Sequence, residues 1–270
     1  MSDSDKDFVG SIPENYDRYL VPLIFEEFAE DLANRVSGLR PTNVLETAAG
    51  SGVVARALTP KLSKSASYVV SDLNQPMLDH AQSMQAVDDR LSWQQADALD
   101  LSYADGAFDV VVCQFGVMFY PDQVQSYREA RRVLKDDGAL VFNVWDQVST
   151  NEFADVVTAA VATVFPADPP GFLPRTAHGY FDTELIRQEL GQAGFSTINI
   201  ETLEKVSAAS SHRHPAIAYC QGTPLRNEIE ARDASKLEHA TDVASAAIAQ
   251  RWGEGPVSAK IRGHVIVARP

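Results

Sequence analysis

The sequence predicts an α/β protein: a doubly wound, seven-stranded, mostly parallel sheet with a terminal antiparallel strand and a helical lid. Three observations carry that expectation. From Thr42 to Val144 short apolar strands alternate with helical patterns, as crossover helices between parallel strands require. The run VLETAAGSG, Val44 to Gly52, leads an apolar strand into an acid, then a small-residue loop, then a helix. Near the C terminus VSAKIRGHVIVAR alternates like a strand after a long helical excursion, so it can insert antiparallel beside its predecessor.

Residues 13–36 read as one helix, because Leu20, Leu23, Ile24, Phe28, Leu32 and Val36 recur at three- and four-residue spacing. Residues 1–40 are accordingly expected to form an N-terminal helical cap on a core of 41–270. Strands are expected near 43–46, 68–71, 92–95, 108–113 and 139–145, with helices near 53–59, 75–86 and 123–134. Pro60 should end or kink the first of these helices. Beyond Trp145, Thr150 to Phe165 reads as an apolar helix and PADPPGFLPRTAHG as a Pro/Gly-rich loop, so 148–179 is expected to be a lid insertion over the rim. Helix 182–193, ended by Gly194, strand 195–202 and a mainly helical 214–252, broken at Gly222 to Pro224, follow; 208–256 is the second lid segment.

A chain of 270 residues buries roughly three-quarters of its unfolded surface in one core. A net charge of −14 opposes a phosphate backbone, so no nucleic-acid partner is expected. Cys113 lies in an apolar strand pattern and Cys220 is the only other cysteine, which implies no disulfide framework. The polar, acidic start MSDSDKD and the lack of any run of 18 apolar residues lead us to expect a cytoplasmic protein without membrane insertion, monomeric or homodimeric.

In open α/β sheets ligands bind at the carboxyl ends of strands, and Glu46, Asp72, Asp97 and Gln114 fall on one such rim. A carboxylate at Glu46 opposes a bare pyrophosphate, so the ligand should carry an ammonium or hydroxyl groups. Gly50, Gly52 and Ala55 also satisfy the dinucleotide fingerprint, with Asp72 at about the 20-residue distance of a ribose-binding acid. The loop alone therefore leaves a nicotinamide or flavin nucleotide open.

Five segments in order, VLETAAGSG, VVSDLNQPMLDHAQ, QQADALDL, FDVVVCQFGVMFYPD and EARRVLKDDGALVFNVW, resemble the motifs of class I S-adenosylmethionine-dependent methyltransferases. The likeness is strongest to the ubiquinone- and menaquinone-biosynthesis-like branch acting on small molecules. It spans residues 42–202, about three-fifths of the chain, and implies a Rossmann-like fold. It further implies that Glu46 and the Ala48, Gly50 and Gly52 loop hold the methionine end of S-adenosyl-L-methionine, and that Asp72 accepts both ribose hydroxyls. Leu73 and Met77 would sandwich the adenine, Asp97 would accept from its amino group, and the Ala98 amide would donate to a ring nitrogen. The Gln114 carbonyl would meet the ammonium, Phe115 would lie beside the sulfonium, and Tyr16 is a further cofactor-site candidate.

Duller explanations stand beside these roles. Asp72 and Asp97, taken singly, could be strand-terminal caps, and Met77 suits core packing equally well. Where the family loop usually starts with Gly this chain has Ala48, which is expected to keep φ negative.

Methyl transfer from a sulfonium is an in-line displacement in which alignment in a dry pocket does most of the work. A base matters for a neutral hydroxyl or acidic carbon. Tyr16, Asp146, His178 and Tyr180 are candidates, with His178 and Tyr180 the catalytic choice and His178 the better by ordinary pKa, although its loop also suits an exposed residue. The segment QFGV at 114–117 lacks the Asn/Asp-Pro-Pro-aromatic pattern of nucleic-acid amino methylases. A catechol-type metal site would need acids ending both the fourth and fifth strands; only Asp146 is placed so, and no metal is expected. Phe153, Val157, Val161, Phe165, Phe172 and Leu173 suit a small, partly hydrophobic or aromatic acceptor, with S-adenosyl-L-homocysteine as coproduct. An NAD(P)-dependent oxidoreductase and a non-catalytic S-adenosylmethionine-binding module are the alternatives.

Overall fold

The computed structural model describes residues 12–270. The acidic N-terminal stretch, and with it the first part of the 1–40 cap, lies outside those residues.

Seven strands, β1 (Asn43–Glu46), β2 (Ser67–Asp72), β3 (Leu91–Gln95), β4 (Phe108–Gln114), β5 (Leu134–Trp145), β6 (Thr197–Ala209) and β7 (Val257–Arg269), form one sheet in the order β3-β2-β1-β4-β5-β7-β6. β1 pairs in parallel with β2 and β4, β2 with β3, and β4 with β5. β7 is the antiparallel member. Asp146 N–H donates to Arg262 O, whereas the far end of β7 meets the start of β5, where the Arg269 guanidinium donates to Asp137 O. On its other side Ser196 N–H donates to Arg269 O. The sequence expectation of a doubly wound, mostly parallel sheet holds, with the last strand beside its predecessor.

Central strands read as unbroken aliphatic runs because both faces are covered. Val110, Val111 and Val112 of β4 are at most 1 % exposed. The crossover helices are α3 (Val53–Leu58), α4 (Gln75–Met84) and α5 (Gln123–Val133). Asn74 caps α4 by accepting from Met77 N–H, and Asp122 caps α5 by accepting from Gln125 N–H, each cap contributing about 1 kcal/mol. Pro60 acts as expected: α3 ends at Leu58 and a single 3₁₀ turn, Thr59–Lys61, follows.

Several elements depart from the sequence reading: β5 starts at Leu134 rather than near 139, and the expected Pro/Gly-rich loop holds a π-helical turn at Leu173–Ala177. In place of one helix over 13–36 the chain runs α1 (Ile12–Asn15), a π-helical stretch Tyr16–Phe25, then α2 (Glu26–Gly38). Pro22 lies inside the π stretch, where its missing N–H interrupts the usual ladder; at its end Glu26 N–H reaches back five residues to Val21 O. The strand expected at 195–202 continues to Ala209.

The residues group into two compact units. One comprises Glu27–Val144, Phe181–Thr202 and His264–Pro270, and holds β1–β4, nearly all of β5, the crossover helices and α7 (Thr183–Gln192). The other comprises the residues through Glu26, Trp145–Tyr180 and Leu203–Gly263. Within it α6 (Glu152–Val164), α8 (Arg213–Gln221) and α10 (Leu237–Trp252) pack on one another, with α9 (Leu225–Asp233) between α8 and α10 in the chain. Among the described residues no helix is long and apolar enough to cross a membrane.

Candidate active site

Parallel pairing brings the carboxyl ends of β2, β1 and β4 side by side, and so gathers Asp72, Glu46 and Gln114, the terminal residues of those strands. The loop after β1 is wound by three left-handed residues, Ala48 (φ 52°), Gly50 (φ 55°) and Gly52 (φ 77°). The expectation that Ala48 keeps φ negative fails: the loop needs the left-handed turn there, and alanine adopts it at some cost in strain. At Gly52 a side chain is excluded also by space, since an added Cβ would stand 3.0 Å from Ala81 Cβ on α4.

Asp72 is tied to this loop. Its Oδ2 accepts from Gly50 N–H at 2.8 Å and its Oδ1 from Asn74 N–H at 2.8 Å. Burial pushes its pKa up against the opposing pull of the Asn74, Gly50 and Leu73 amides. An ionised carboxylate offers about four acceptor positions, more than these amides fill, which suits further hydroxyl donors.

Glu46 is 1 % exposed, and its Oε2 accepts from the Tyr68 hydroxyl. Burial raises its pKa to about 8; Tyr68 pulls down, Asp72 pushes further up and Arg56 pulls down. A desolvated acid beside a second carboxyl suits a cation. Leu73 is 51 % exposed, whereas Met77 is 4 % exposed, so Leu73 alone of this pair offers open surface. Asp97 is exposed, with Oδ1 accepting from Leu99 N–H at 2.9 Å, and Ala98 beside it is buried.

At the end of β4 Phe115 is also left-handed (φ 48°) and buried, its ring edge-on to Phe28 at 5.2 Å. Its N–H is shared between Asn143 Oδ1 at 2.8 Å and Asn143 O at 3.2 Å. The next residue, Gly116, has no room for a Cβ, which would lie 2.6 Å from Ala48 Cβ and 2.7 Å from Cys113 Sγ. Beneath the loop the Tyr120 hydroxyl donates to Thr47 Oγ1 at 3.3 Å. Tyr68, Gly116, Tyr120 and Asn143 escaped the sequence reading. Only Tyr68 left a signal, because a phenol in a buried strand needs a partner for its hydroxyl.

The remaining candidates, Tyr16, His178 and Tyr180, belong to the other unit. Within it a row of rings runs from Tyr16 to Phe25 (5.2 Å), to Trp145 (5.9 Å) and to His178 (6.1 Å). His178 is 4 % exposed rather than a surface loop residue, and Tyr180 is 9 % exposed. His178 Nδ1 lies 2.8 Å from Asp146 O, a group that only accepts, so Nδ1 carries the proton and Nε2 the lone pair. Burial holds its pKa down to about 4, against the pull of Asp146. Asp146 itself is held by Arg262 at 3.0 Å. Among the described residues no three His, Cys, Asp or Glu side chains group as metal ligands.

A methyltransferase-domain family model matches residues 45–142, the stretch from β1 through β5. The demethylmenaquinone methyltransferase of Deinococcus radiodurans is 30 % identical over 167 residues, covering 58 % of this chain and 69 % of that protein. The malonyl-[acyl-carrier protein] O-methyltransferase of Geobacter sulfurreducens is 27 % identical over 202 residues, covering 73 % and 68 %. Among solved structures, Haemonchus contortus phosphoethanolamine N-methyltransferase 2, in complex with S-adenosyl-L-methionine, shares the fold with a TM-score of 0.60 at 14 % identity, covering 98 % of this chain and 59 % of that one. Family match, relatives and fold agree with the loop and the acid-lined rim: the chain belongs to the class I S-adenosylmethionine-dependent methyltransferases.

Proposed function

We propose that this small-molecule methyltransferase moves a methyl group from S-adenosyl-L-methionine to a partly hydrophobic or aromatic acceptor, at oxygen, nitrogen or carbon. The observation that carries the cofactor reading is the Gly50–Asp72 clamp, which fixes a carboxylate with acceptor capacity to spare beside the buried Glu46. When bound, the cofactor supplies a methyl group on a positively charged sulfur.

Asp72 accepts the ribose hydroxyls, and Leu73 covers one face of the adenine with Met77 below it. Asp97 and the Ala98 amide read the adenine edge. Glu46, the amides of the Ala48–Gly52 loop and the Gln114 carbonyl hold the methionine end, with Phe115 beside the sulfonium and Tyr16 a further contact. His178 takes the acceptor's proton at Nε2, a role supported by its buried, neutral imidazole and the tautomer that Asp146 O imposes. Tyr180 orients the acceptor. Residues 148–179 and 208–256 select it, and the apolar character of α6 supports a hydrophobic one.

Radiolabel transfer from methyl-labelled S-adenosylmethionine to a panel of quinols, phenols, amines and carboxylic acids tests this. Labelled product from apolar aromatic acceptors is expected; labelling restricted to highly polar acceptors would contradict the substrate class.

A further inference from the structure

Tyr68 stands on β2 opposite Val44 of β1, two residues short of Glu46, and is fully buried. Two strand residues span about 6.6 Å, the reach of a tyrosine side chain laid along the strand. Its hydroxyl ends on Glu46 Oε2 below the loop. Among the described residues the charged and titratable groups around that carboxyl are few. Tyr68 and Asp72 face it from β2, Arg56 from α3 and Cys113 from β4. Arg56, the only cation among them, is engaged with Ser51 O at 2.5 Å.

We propose that Tyr68 is a positioning residue for Glu46, and that this buried pair gives up one proton when the methionine end of S-adenosylmethionine is bound. The inference rests on the reading that Glu46 faces that end. Two desolvated acids with one committed guanidinium leave a carboxyl that keeps its proton, in line with the upward shift described above. An ammonium and a sulfonium beside it favour the carboxylate. The carboxyl O–H bond breaks, the proton passes to solvent, and the Tyr68 hydroxyl remains as donor to the oxygen it already meets.

Calorimetric titration of S-adenosylmethionine into the full chain, at one pH near 7 in two buffers of different ionisation enthalpy, counts the protons. Close to one proton released is expected, and affinity should tighten by about tenfold per pH unit before levelling off above about 8. The ligand's own amine titrates in the same range, so Glu46→Gln supplies the background: its proton count should fall by about one and its pH dependence flatten. Tyr68→Phe should still bind but level off at a higher pH, because a donor to the carboxylate is gone. Equal proton counts in wild type and Glu46→Gln would overturn the proposal, as would a Tyr68→Phe loss of affinity that is the same at every pH. Absence of S-adenosylmethionine binding to the wild type would instead overturn the cofactor reading, and this proposal with it.

Discussion

Gly50 N–H donates to Asp72 Oδ2 at 2.8 Å, so the acid that ends β2 also holds the loop that follows β1. One side chain thus shapes the loop and, in the function proposed above, also accepts the ribose.

Asp72→Ala removes both roles. The loss of two charge-assisted bonds should weaken S-adenosylmethionine binding by on the order of 2–4 kcal/mol, or roughly 30- to 1000-fold in Kd. Calorimetric titration checks it, and a change below about threefold would remove Asp72 from the ribose.

Ala48 and Gly116 form a coupled pair. Ala48→Gly should stabilise the fold by about 1 kcal/mol by relieving a left-handed alanine. Gly116→Ala should cost about 1–3 kcal/mol through the overlaps with Ala48 Cβ and Cys113 Sγ. With Ala48→Gly in the background that cost should shrink by about 1 kcal/mol, measured as a double-mutant cycle in urea; strict additivity would refute the contact.

Glu46 makes stability depend on pH. Its folded pKa of about 8 lies above the ordinary 4.5, so its contribution is full below 4.5 and is lost as pH rises through about 8. Glu46→Gln should therefore melt higher than the wild type without ligand, by a margin that grows from pH 5 to pH 8.5. A constant margin over that range would show that Glu46 does not titrate there.

His178 should act as a base that is already neutral at physiological pH. His178→Ala is expected to lower kcat on the order of 10²- to 10⁴-fold while leaving the Kd of S-adenosylmethionine unchanged. Because its pKa is held down to about 4, the acid limb of the wild-type kcat/KM profile should lie nearer 4 than 6.5. Undiminished turnover in the variant would remove it as base.

Periodicity made most of the fold legible. The alternation of VSAKIRGHVIVAR marks residues 257–269, the span that β7 occupies. Spacing also placed Glu46, Asp72 and Gln114 on one rim, since strand ends in a parallel sheet converge. Contacts between distant segments were out of reach. Nothing in TAAGSG reveals that Ala48 is left-handed, because the space for it depends on Gly116, distant in sequence and just past the end of β4. Alternation says that Tyr68 is inward but not that its hydroxyl ends on Glu46. His178 sits among prolines and glycines that suggest a surface loop, and its burial comes from packing by Trp145 and a bond to Asp146 O.

The most direct test is a thermal shift of the purified protein, wild type and Asp72→Ala, with S-adenosylmethionine, S-adenosylhomocysteine, NAD and NADP side by side, since a ligand that binds only the folded state raises its Tm. The account predicts stabilisation of the wild type by the two sulfur nucleotides alone, and its loss in Asp72→Ala. Stabilisation by a dinucleotide, or an undiminished shift in Asp72→Ala, would contradict it.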